Sequence, residues 1–151
     1  MNNGRAFIGS IMIILSAPLQ AENLIFSCQT ESGKLVRFSD LDRYVRYSYG
    51  PSGFPDLVFI EPKRSAQKLC RNDPNGGFFY HGISLQHDGL TYTVGEKEMV
   101  DPSRNYMTVS LEYTLSVTRA DGRVLSNIRC SRGIVDKIRA ANVHDAMIGD
   151  C

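Results

Sequence analysis

From Tyr106 to Thr118 apolar and polar side chains alternate without a break. Met107, Val109, Leu111, Tyr113, Leu115 and Val117 fall on one parity, and Thr108, Ser110, Glu112, Thr114, Ser116 and Thr118 on the other. Side chains of an extended chain point alternately to the two faces of a sheet, so this stretch predicts a strand with one apolar and one wet face. Its inward positions need a covering layer of apolar surface that other strands must supply. Asp121-Gly122 marks a tight turn, and Arg123 to Cys130 returns as the partner strand.

The alternation recurs along the chain. Leu24, Phe26 and Cys28 share a parity, Glu31 to Lys34 makes a turn, and Leu35 to Phe38 completes a first hairpin. Tyr44 to Tyr49 follows, with Val45, Tyr47 and Tyr49 as core positions and Arg46 on the wet face. The breakers from Gly50 to Pro55 form a loop, and Asp56 to Glu61 resumes the strand pattern with Leu57 and Phe59 facing one way. Lys63 to Gly77 has little pattern and reads as a loose connection. Gly77 to His87 and Leu90 to Val94 pair around the His87-Asp88-Gly89 turn, and Glu96 to Asn105 reads as a charged, turn-rich loop. Past Cys130 the period changes: Ile134, Ile138 and Ala141 at i, i+4 and i+7 predict a short C-terminal helix docked on the sheet. About eight short strands between Gly, Asp and Pro turns predict a mainly β fold, an antiparallel sandwich or partly open barrel.

The start of the chain has a different character. Arg5 is the only charge before Glu22, Ala6 to Leu15 is mostly apolar, and Ser16 to Ala21 offers small residues. This is the pattern of a secretory signal, with cleavage after Ala21 or, as the alternative, Ala17. The apolar run is short for a membrane span, and no cysteine follows it closely, so no lasting membrane anchor is expected. Residues 22–151 then form a single β-rich domain in the periplasm or outside the cell. Export removes one of the 17 basic residues and balances the charge against 16 acidic ones. A neutral chain lacks the clustered cations that nucleic-acid binding requires.

Cys28, Cys70, Cys130 and Cys151 all fall after the leader, and an even number in an exported chain predicts two disulfides. There is no CxxC pair, so no metal site is predicted. Short loops favour Cys28 with Cys70 and Cys130 with Cys151.

The candidate chemistry is sparse. His87-Asp88 coincides with a turn signal, and no GxSxG elbow accompanies it; with one serine it is the only imaginable hydrolytic set. No cofactor motif is present, and no enzyme is expected. What remains are loops and strands rich in Arg, Tyr and Phe, the side chains that anchor protein interfaces. The candidate contacts are Tyr44, Arg46, Phe54, Lys63, Arg64 and Arg71, the last three within a cationic run suited to an acidic partner. A small-ligand or envelope-glycan binder, with a cavity lined by Tyr47, Tyr49, Tyr80 and Tyr92, is the alternative.

FSCQTESGKLVRF, followed by YSYG and DLVFIE, and then GGFFYHGISLQHDGLTYTV and YTLSVTRADGRVLSNIRC, resembles a loose group of small exported bacterial disulfide-containing β proteins. The resemblance implies a periplasmic β protein. It also implies a role in binding another protein, as an inhibitor or as an immunity protein against a toxin or cell-wall hydrolase. The Ser-Ala-Ser-Gly-x-x-Tyr loop of lysozyme-inhibitor families is absent from this sequence.

Overall fold

The structure, a computed structural model, describes residues 22–73, 76–105 and 107–145. The predicted leader and Cys151 lie outside them. The strands are β1 (Asn23–Thr30), β2 (Leu35–Leu41), β3 (Tyr44–Gly50), β4 (Leu57–Pro62), β5 (Ala66–Asp73), β6 (Phe78–His87), β7 (Leu90–Asp101), β8 (Met107–Arg119), β9 (Val124–Asp136) and the short β10 (His144–Asp145). They form one sheet in the order β10-β5-β6-β7-β8-β9-β1-β2-β3-β4. Two antiparallel meanders, β1 to β4 and β5 to β9, are therefore fused where β9 pairs with β1. The sheet curls into a half-barrel, the partly open form of the expected β fold.

Local chemistry sets the hairpins. Asp88 and Gly89 both take positive φ, 48° and 73°, as a two-residue turn between right-twisted strands requires. Aromatic packing sets the curl. Tyr47 on β3 lies 5.0 Å from the Tyr92 ring on β7, and Phe59 on β4 lies 4.9 Å from it. These contacts draw the β3–β4 edge over the second meander, and Phe26, Phe38, Ile83, Leu85, Val94 and Leu115 fill the space between. Val45 and Tyr47 are buried as their parity predicts.

Five expectations are corrected. The Lys63 to Gly77 connection contains β5, and the supposed loop after Glu96 is the second half of β7, which runs on to Asp101. The helix predicted through Ile134, Ile138 and Ala141 is not formed: β9 continues to Asp136, and the 3-10 turn Ile138–Ala140 follows. Ser27 faces Val135 and Phe26 faces Asp136 across the β1–β9 ladder, so tertiary pairing overrides the helical spacing. The disulfide joins Cys28 to Cys130 across that ladder, Cα to Cα 5.7 Å, and not Cys28 to Cys70 or Cys130 to Cys151. Loop length misled because the curl sets the first and last long strands side by side. Cys70 is also disulfide-bonded, with a partner outside the described residues.

The fifth correction concerns β8. Leu115 is buried, but Met107, Val109 and Leu111 are exposed, Leu111 at 51%. Within the described ladder β9 pairs with β8 only from Thr114 to Thr118, so the first half of β8 is paired with β7 alone.

Candidate functional site

Strand β4 is the edge of the sheet, and its register with β3 sets Tyr44 against Pro62, Arg46 against Ile60 and Ser48 against Val58. Directly opposed residues share a face. With Val45, Tyr47 and Phe59 turned inward, Tyr44, Arg46, Val58 and Ile60 are turned outward. Tyr44 is 48% exposed and Ile60 53%. Large apolar side chains on the wet side of an edge strand, whose outer backbone groups lack a ladder partner, are what a docking partner covers.

At the far end of the hairpin the loop after β3 carries Phe54, 83% exposed. Phe54 N–H donates to the Pro51 carbonyl at 3.2 Å, and Lys34 Nζ holds Asp56 at 2.8 Å. Gly50 takes φ 144°, and a Cβ there would lie 2.2 Å from the Asp56 nitrogen, so only glycine admits this return of the chain. The loop is thus built to hold Phe54 out. Between Tyr44 and this loop, Arg46 pairs with Glu22, and both line a shallow depression of about 180 Å³ with Arg37 and Ser48.

The other predicted contacts divide. Lys63 is a clip: its Nζ sits 2.8 Å from Asp40, and its N–H donates to the Arg43 carbonyl at 2.9 Å. Arg64 is exposed in the 3-10 turn that follows β4. Arg71 is on β5, away from the hairpin, with its guanidinium 5.5 Å from the Phe78 ring centre. Five of the six named positions therefore belong to the β3–β4 hairpin and the turn that ends it.

The proposed four-tyrosine cavity is not formed. Tyr47 and Tyr92 are buried against each other, Tyr49 lies under Lys34, and Tyr80 lies on the glycines Gly82 and Gly95. His87-Asp88 is a turn as read. Its imidazole stacks on Phe59 at 3.9 Å and Nδ1 meets Glu61 at 2.7 Å, while Nε2 faces the Asp88 carboxylate at 3.5 Å. Among the described residues no serine hydroxyl hydrogen-bonds to it.

A row of polar groups escaped the sequence reading. Cys70, His81, Glu96 and Tyr113 stand opposite one another on β5, β6, β7 and β8. Cys70 Sγ is 3.6 Å from His81 Nδ1, and Tyr113 O–H donates to Glu96 at 2.8 Å. Arg139, from the 3-10 turn, reaches the other Glu96 oxygen at 3.4 Å. Loss of water around Tyr113 raises its phenol pKa, and the Glu96 hydrogen bond adds to the rise. Burial lowers His81 and the Arg139 charge adds to this, while Asp136 is raised chiefly by lost solvation. With Cys70 in a disulfide the row holds no thiolate nucleophile, and it forms a polar seam that the 3-10 turn reaches through Arg139. No single strand announces it, because the four residues meet only through register.

No protein-family model matches the chain, and no curated protein or solved structure matches it either.

Proposed function

We propose that this is an exported protein that works by protein–protein contact through the outer face of the β3–β4 hairpin, as an inhibitor or immunity protein against a toxin or cell-wall hydrolase. The observation that carries the reading is the coincidence of Val58 and Ile60 on the edge strand β4 with Tyr44 and Arg46 beside them on β3, Tyr44, Val58 and Ile60 all exposed. Tyrosine and arginine are enriched among the few residues that dominate binding energy at interfaces. Phe54, 83% exposed in the loop that joins β3 to β4, adds a projecting aromatic to the same hairpin. The Cys28–Cys130 disulfide fits an oxidising extracytoplasmic compartment, which is also what the leader pattern predicts.

The test is capture from periplasmic extract, and from a panel of exported toxins and wall hydrolases, with the oxidised chain as bait. A stoichiometric partner retained by the wild type and lost by Tyr44→Ala/Ile60→Asp, at unchanged thermal midpoint, supports the reading. A partner held equally by that variant moves the contact elsewhere on the molecule. No partner for the wild type removes the protein-binding role.

A further inference from the structure

On the outer face of the second meander the register sets Arg71 opposite Tyr80 and Tyr80 opposite Lys97. Between these strands lies a trough of about 390 Å³ lined, among the described residues, by Leu69, Cys70, Arg71, Phe78, Tyr80 and Lys97. That volume is within the range of small-ligand sites. Its floor exists because two glycines face each other: Gly82 opposes Gly95, and the phenol end of Tyr80 lies over both. Side chains at those positions would lift the ring and fill the trough.

The charge on this floor is unbalanced. Arg71 lies 5.5 Å and Lys97 4.7 Å from the Phe78 ring centre, and neither has a carboxylate partner among the described residues. The nearby acids are engaged elsewhere: Glu112, opposite Lys97, is 3.1 Å from Arg129, and Asp73, opposite Phe78, accepts from the Gly76 amide at 2.7 Å. By contrast Lys34, Arg46 and Lys63 each hold a carboxylate.

We infer that this trough binds a free single-chain amphiphile with a carboxylate head, its chain along Leu69, Phe78 and Tyr80 and its head between Arg71 and Lys97. The apolar lining offers few directed polar groups, which does not suit a sugar. Two cations already lie against Phe78, which repels a quaternary ammonium ligand. A bilayer surface is read by a broad cationic face, each Lys or Arg adding a small increment, whereas two cations around one trough suit a single anionic head. The inference is independent of the hairpin surface proposed for the protein partner, since none of its lining residues except Arg71 was among the predicted contacts.

The experiment is calorimetric titration of the oxidised chain with decanoate below its micelle concentration, beside decanol, decyltrimethylammonium and anionic phosphatidylglycerol vesicles. Decanoate is expected to bind at one per chain, decanol about tenfold or more weaker, and decyltrimethylammonium not at all. Arg71→Gln/Lys97→Gln, which keeps much of each stem over the trough, should weaken decanoate binding about tenfold or more at unchanged thermal midpoint. Amide and aromatic NMR shifts on adding decanoate should be confined to residues around Leu69, Phe78 and Tyr80. Equal affinity for decanol, undiminished binding by the double variant, shifts elsewhere, tighter binding to vesicles than to decanoate, or no binding would each overturn the assignment.

Discussion

The Tyr80 ring covers Gly95 so closely that a Cβ built on the glycine falls 2.3 Å from the phenolic oxygen. The same Cβ falls 2.7 Å from the His81 carbonyl oxygen, which is backbone and cannot swing away. At Gly82 the three nearest atoms all belong to the Tyr80 ring. Gly95→Ala should therefore cost about 1–3 kcal/mol in urea unfolding, and Gly82→Ala less, because a ring can rotate where a strand cannot. Burial pushes the Tyr80 phenol up to about 12, so Gly82→Ala, by lifting the ring into water, should lower its ionisation pH in an ultraviolet titration. Equal cost at the two glycines would mean that the ring is not seated between them.

Cys28 and Cys130 are both buried, and their bond closes a loop with a sequence separation of 102. A cross-link over so long a loop removes much of the freedom of the unfolded chain, about 4–5 kcal/mol on the chain-entropy estimate. Cys28→Ala/Cys130→Ala should lose about that much in chemical unfolding. Peptide mapping without reduction should recover Cys28 joined to Cys130, which leaves Cys151 as the cysteine available to Cys70. A Cys28–Cys70 peptide would contradict the β1–β9 pairing itself.

What the sequence revealed was local. Asp88-Gly89 and Gly122 announce their turns because φ above zero favours those residues, and the parity of Val45 and Tyr47 follows from one strand alone. Register and coverage are set between strands and were not legible. The spacing of Ile134 and Ile138 is helical, yet β1 claims Val135 for its ladder. Tyr44, Arg46 and Phe54 could be named as contacts from residue type. The row from Cys70 to Tyr113 could not, because it spans four strands whose register no one of them encodes.

The β8 pattern separates parity from depth, and mutation should show it. Leu111 and Leu115 share a face, but only Leu115 lies under the curl of the sheet. Leu115→Ala should cost about 2–5 kcal/mol, as for truncation in a packed core. Val109→Thr/Leu111→Thr should stay within roughly 0.5 kcal/mol of the wild type per site. If Leu111→Thr proves as costly as Leu115→Ala, the exposed half of β8 is covered in solution by a second molecule, and size-exclusion chromatography of the variant should then show a smaller species.

His81 should make the fold sensitive to mild acid. Lost solvation lowers its pKa first, the Arg139 charge lowers it further, and Glu96, Asp136 and Glu98 oppose both. The unfolded chain therefore holds more protons at this site between the lowered value and the ordinary 6.5. Stability from neutral His81 is present above that ordinary value and is lost as pH falls through the folded one. Asp136 acts the other way at lower pH: its raised pKa is a penalty on the ionised fold, relieved as the carboxyl takes up a proton on the way down to 3.8. Urea midpoints should fall between pH 7 and pH 5. His81→Gln should flatten that fall, and Asp136→Asn should leave it in place. The His81 imidazole, followed by NMR, should titrate below 6.5, and Arg139→Gln should move it upward by removing the repelling charge. A midpoint above 6.5 would mean that the carboxylates of the row outweigh burial and the guanidinium, reversing the sign of the whole dependence.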